Sequence, residues 1–233
     1  MKYFLRTLIL VIFLICNFSF AQTSSLTHSQ ILMLKGVLLE ELKKQDFLNF
    51  SRLTSENEIR SCEIEFQKTI VDKRGKQEEI YVVKGSLSSH YYKDKFRSVA
   101  SLKVSPSKLN LENIKSLDNL DNAWIIEKPN YATILLGDKN FNVFKYSDFE
   151  CETGGLCTAY ADDEKLRLTQ ILLNPKLNTL KIVFNFEKDT YDKTIEVSKI
   201  SNEYPKIKNS FMSCQLEIIE KIKTDLNNSI KSK

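Results

Sequence analysis

Histidine is nearly missing from this chain, which has only His28 and His90 among 233 residues. Glycine is scarce at six and proline at four. Each shortage removes a class of chemistry. Two isolated histidines do not make a His-Glu-x-x-His zinc helix, and six glycines do not furnish phosphate-cradling loops. There is no calcium loop of the EF-hand type and no Gly-x-Ser-x-Gly nucleophile elbow. A Cys-x-x-Cys pair is also lacking, which removes thioredoxin-like redox chemistry and the commonest zinc spacing. Charge of neither sign dominates: the formal net charge is +4, with lysines and acids interspersed along the chain. Nothing in that balance calls for a nucleic-acid or membrane-surface partner. No cofactor and no metal is implied.

One long apolar run is present, and it lies at the start. Lys2 and Arg6 precede LILVIFLI, residues 8 to 15, and Ser19 and Ala21 place small residues where a signal peptidase reads. This is the pattern of a secretory signal cleaved after Ala21. The run is too short to span a bilayer comfortably. Cys16 follows Ile15 rather than a small residue, so lipid attachment is not expected. Of the 34 basic residues, Lys2 and Arg6 leave with the signal, and 32 then face 30 acids. Residues 22 to 233 are expected to form a single soluble domain, secreted or periplasmic, with no membrane span.

Four cysteines remain in that exported portion: Cys62, Cys151, Cys157 and Cys214. An even count in an oxidising compartment points to disulfides. CETGGLC, residues 151 to 157, brings Cys151 and Cys157 within easy reach, and Gly154 and Gly155 ease the tight loop. Cys62 alternates with Ile64 and Phe66 on the apolar side of a strand. Cys214 falls in helical spacing with Phe211, Ile218, Ile222 and Leu226. Both face inward, which favours Cys62 with Cys214. Loop-closure entropy credits the long bond with about 5 kcal/mol and the short one with about 2.

Patterning along the chain gives an α+β reading. Thr27 and Gln30 fit a capping box that opens a helix with Ile31, Leu34, Leu38 and Leu42 on one face, ending by about Asn49. Residues 58–71, 78–92 and 97–104 read as an antiparallel meander. Residues 105–122 gather Ser, Pro, Asn and Asp and read as an ordered connector, the one weak place for a two-lobe division. Strands are expected next at 124–126, 131–136 and 141–146. Asp162 or Asp163 then opens a helix stopped near Asn174-Pro175. A hairpin spans 179–187 and 191–199, with Leu180, Ile182, Phe184 and Phe186 sharing a face. A last helix covers about 206–230. The expected fold is an antiparallel sheet, meander plus hairpins, covered by an N-terminal and a C-terminal amphipathic helix.

Candidate sites are few. HYYKDKFR, residues 90 to 97, concentrates His90, Tyr91, Tyr92, Phe96 and Arg97. Tyrosine joins an apolar body to a polar tip and suits partner surfaces. Glu150, Glu152, Asp162 and Asp163 gather around the cysteine loop and are the carboxylates a hydrolase would use. Ser89 beside His90 is not a triad, because a triad is defined by geometry and a third group. The leading expectation is a non-enzymatic exported protein that binds a protein or an envelope component. The alternatives are an exported hydrolase built on Glu150 to Asp163, and a carrier of an apolar ligand. No motif in residues 22 to 233 carries a family resemblance.

Overall fold

The computed structural model describes residues 27–55, 58–75, 78–92, 97–110, 123–137, 141–147, 149–153, 155–162, 179–186 and 191–231. The apolar run, the signal cleavage site and the helix expected after residue 163 lie outside them. Helix α1 is His28–Lys44, and Thr27 caps it in the reciprocal box its sequence predicts. The Thr27 amide donates to Gln30 Oε1 at 2.8 Å and the Gln30 amide donates to Thr27 Oγ1 at 3.4 Å. The helix stops five residues before the expected end, and its last amides fall back on carbonyls three residues earlier. No glycine or proline marks that stop.

The next element is a strand, β1 (Phe47–Ser55), where the sequence reads as helix up to about Asn49 and as no element beyond it. It pairs antiparallel with β2 (Glu58–Asp72), which pairs with β3 (Glu79–Tyr92) and then β4 (Arg97–Leu109). This is the expected meander, extended by one strand. β4 also runs five residues further than expected, through the Ser-Pro-Ser stretch. Pro106 fits because β4 changes neighbours there. β9 (Cys157–Asp162) pairs with β4 up to Val104, and β5 (Trp124–Ile126) takes over from Ser107. The missing proline N–H falls in the gap between two partner strands. Asp162 ends β9 rather than opening a helix.

Two antiparallel sheets result among the described residues. The first has seven strands, in the order β1-β2-β3-β4-β9-β8 with β5 also on β4; β8 is Glu150–Cys151. The second orders β11-β10-β6-β7, with β6 Pro129–Leu136, β7 Phe141–Tyr146, β10 Leu180–Phe186 and β11 Lys193–Glu196. A 3-10 turn, Val197–Lys199, leads to α2 (Tyr204–Lys231).

The periodicities locate the core. Cys62, Ile64 and Phe66 of β2 lie in one cluster with Ile182, Phe184 and Phe186 of β10. Phe211, Cys214 and Ile218 of α2 join the same cluster, while Leu226 is exposed. A smaller cluster unites Leu38 and Leu42 of α1 with Ile80, Val82 and Leu109. Gly85 leaves room at the centre: a Cβ there would meet Lys103 O at 2.4 Å and the Phe66 ring at 2.9 Å. Both expected disulfides are present, Cys62–Cys214 between β2 and α2 and Cys151–Cys157 between β8 and β9. Gly155 sits in the short loop at φ +83°, a conformation glycine adopts readily.

Charged groups tie the two sheets together at one end. Lys193 of β11 is 2% exposed and donates to Asp72 at the end of β2. Arg74 grips the same carboxylate through Nε at 2.9 Å and Nη2 at 3.0 Å, and its Nη2 also donates to the Asp192 carbonyl at 2.6 Å.

Candidate functional site

The aromatic stretch does not assemble as one surface. Strand alternation sends Tyr91 inward, where it is 5% exposed and its hydroxyl donates to Asp225 of α2. Tyr92 stays on the surface at 44%. Phe96 lies outside the described residues, and Arg97 begins β4. Tyr91 is therefore a packing residue, and a recognition patch built on both tyrosines is not what the fold presents.

His90 gains a partner that the sequence does not announce. Its Nε2 lies 2.8 Å from Ser101 Oγ, on the neighbouring strand. By register, Glu63, Ser88 and Ser101 form one row across β2, β3 and β4, beside the row of Ser61, His90 and Val99. Ser61, Ser88 and Ser101 are fully buried on this polar side of the sheet. The arrangement is serine, histidine and a nearby carboxylate, but it lacks what acyl transfer needs. Ser101 is inaccessible, and β4 is paired on both sides at Ser101, with Ser88 and with Tyr160. Its strand amides are committed to ladders and are not available as oxyanion donors. The pair is structural.

Burial pushes His90 below the ordinary imidazole value; Glu63 opposes this and Lys103 adds to it. The folded form thus resists protonation. The His90 contribution to stability should be complete above the unfolded value of about 6.5 and decline as pH falls below it. Urea unfolding from pH 7.5 to 5 should show that decline, and His90→Gln should flatten it.

Glu150 and Glu152 are exposed on β8 and the turn after it. Asp162 ends β9, and Asp163 is outside the described residues. Among the described residues no group of three or more His, Cys, Asp or Glu is placed to hold a metal ion. No described helix is long and apolar enough to cross a membrane.

A groove of about 580 Å³ lies between β1 and α2. Phe50 and Arg52 of β1 line it on one side, and Lys206, Asn209, Ser210 and Ser213 of α2 on the other. Those helix positions recur every three or four residues, so they share one face. Cys214, held by its disulfide, also lines the groove, and Glu217 joins it, with Arg52 Nη2 at 3.0 Å from Glu217 Oε2. The groove depends on β1 being a strand, which is why sequence reasoning misses it. The alternation of Leu48, Phe50 and Arg52 against Asn49, Ser51 and Leu53 is the one available signal. Compared with known proteins, the chain matches no family model, no curated protein and no solved structure.

Proposed function

We propose that this is an exported, non-enzymatic binding protein, released from its signal after Ala21 into the periplasm or the extracellular space, whose partner docks in the groove between β1 and α2. The groove carries this reading. It joins an edge strand to a polar helix face, at a place pinned by a disulfide. Two disulfides suit an oxidising compartment. In this reading α1 and α2 cover the sheets with apolar faces, supported by the burial of Leu38, Leu42, Phe211 and Ile218.

The test is site-specific photocrosslinking in cells that export the chain. A photoreactive residue at Ser213, in the groove, should give a discrete adduct. The same residue at Thr194, exposed on β11, should not. Asn209→Trp, which fills the groove from an exposed helix position, should suppress the Ser213 adduct. Equal adducts at both positions, or none at Ser213, would remove the groove as the binding site.

A further inference from the structure

The rim of this groove is a free sheet edge. β1 ends the strand order of the seven-stranded sheet, with β2 on one side and no strand on the other among the described residues. Along an antiparallel strand, alternate residues turn their N–H and C=O toward each edge. The outer edge of β1 therefore offers a row of backbone donors and acceptors. Register with β2 is unbroken from Phe47 to Leu53, and the irregularity falls only after it, between Leu53 and Thr54. The usual protections of an exposed edge are sparse here: β1 contains no proline and no lysine, and its arginine is held by Glu217. Phe47 and Leu53 are exposed at 43% and 60%, so apolar side chains stand at both ends of the regular stretch.

The wall facing this edge is chemically distinct. Asn209, Ser210 and Ser213 present short polar side chains where a second backbone would run. Charge adds a direction. The Arg52–Glu217 pair is satisfied at one end of the groove. Lys206 lines it too and has no ion pair among the described residues. Lys206 lies in the first turn of α2, which itself contains no acidic residue; Glu203 stands just before the helix and is exposed. An acidic side chain on a partner complements Lys206.

We infer that the occupant is an extended segment of a partner protein, added as a further antiparallel or parallel strand on β1, with a Glu or Asp side chain beside Lys206. Main-chain bonds to β1 supply affinity, and side chains that alternate into the groove supply selectivity. This rests on the groove being the binding site.

The probe is a pool of blocked ten-residue peptides, alternating valine and threonine, with Glu, Lys or Ala at one varied position, titrated against the full exported chain. Glu peptides should bind best, by at least about tenfold over Lys peptides. Lys206→Glu should reverse that order. N-methylation of alternate peptide amides on one edge should abolish binding, whereas methylation on the other edge should not. Amide exchange along β1 should slow when the Glu peptide binds. Binding that is indifferent to N-methylation would overturn strand addition while leaving the groove as a site. So would a Ser213 photoadduct in cells with no peptide in the pool binding, which would assign the groove to a folded surface. Slowed β1 exchange at high chain concentration without peptide would replace the partner segment by a second copy. Loss of both the photoadduct and peptide binding would remove the groove reading itself.

Discussion

Replacing Cys62 and Cys214 together by alanine is expected to lower stability by about 4 kcal/mol. The bond joins residues 152 apart in sequence, so the reduced unfolded chain gains a very long loop's worth of freedom. Loop-closure entropy alone puts this near 5 kcal/mol, and measured losses for native disulfides run from about 2 to 5. The sulfurs are also core atoms: Cys62 is 0% and Cys214 2% exposed, so truncation leaves a void under α2. For a domain of this size the midpoint of thermal unfolding should fall by about 10 °C. The same double replacement at Cys151 and Cys157 opens only a six-residue separation, and Cys151 is exposed. It should cost about 2 kcal/mol. Thermal and urea unfolding of the two double variants settle the order. If the short loop proved the costlier one, α2 would have to be held by packing and not by its staple. The groove makes a second readout, because α2 forms one of its walls. Peptide binding should weaken in Cys62→Ala/Cys214→Ala and persist in Cys151→Ala/Cys157→Ala.

The inward-facing cysteines are legible because period-2 and period-3.6 patterns flank them: Cys62 with Ile64 and Phe66, Cys214 with Phe211 and Ile218. The same logic locates the buried face of β10 and the capping box at Thr27. It fails where local chemistry is ambiguous. Residues 45–50 carry no stop signal, and Phe47, Leu48 and Phe50 suit a helix face as well as a strand. Pairing with β2 decides the matter, and that partner is non-local. The Ser-Pro-Ser stretch of β4 looks like a breaker until two different neighbours are seen to share one strand edge. Tyr91 is misread for a simpler reason. Extending the alternation of Val83 and Leu87 by two more steps puts it inside, and an aromatic cluster in sequence is not a cluster in space. His90 with Ser101 is a cross-strand neighbour relation, which no sequence spacing encodes. The groove combines both difficulties: one wall is a strand whose start reads as the end of a helix and whose remainder reads as no element, and the other is a polar helix face whose exposure carries no distinguishing pattern.

Lys193→Met is expected to destabilise the fold by about 3 kcal/mol, and Asp72→Asn by about 4. Removing one partner of a buried pair is costly chiefly because the other charge is left behind. Lys193 is the more enclosed of the two, and its second acidic neighbour, Glu79, stands 3.7 Å away. Without the Asp72 charge, a cation 2% exposed loses its closest carboxylate, and Glu79 at that longer distance and the Tyr81 ring, 4.9 Å from Nζ, are among the neighbours it keeps. Without Lys193, Asp72 keeps three bonds from Arg74, two from the guanidinium and one from the backbone amide, and Glu79 keeps Lys108 at 2.6 Å and the Tyr81 hydroxyl at 3.0 Å. That asymmetry sets the order of the two variants. An apolar double replacement, Asp72→Leu with Lys193→Met, should cost less than the sum of the single losses, because no buried charge is then stranded. Acid unfolding reports the same network. Arg74 first, and Lys193 with it, holds the Asp72 carboxyl well below its ordinary value. Burial pushes Glu79 upward, but Lys108, Tyr81 and Lys193 together bring it below its ordinary value. Both carboxyls are thus depressed in the folded state. Their contribution is complete above the unfolded values of about 4 and is lost as pH falls below them. Stability measured from pH 6 to 2 should drop steeply below 4 in the unmodified chain and less steeply in Lys193→Met. An equal slope in both would show that Arg74 and Lys108 alone set these carboxyls, and that Lys193 joins the two sheets through packing against Tyr81.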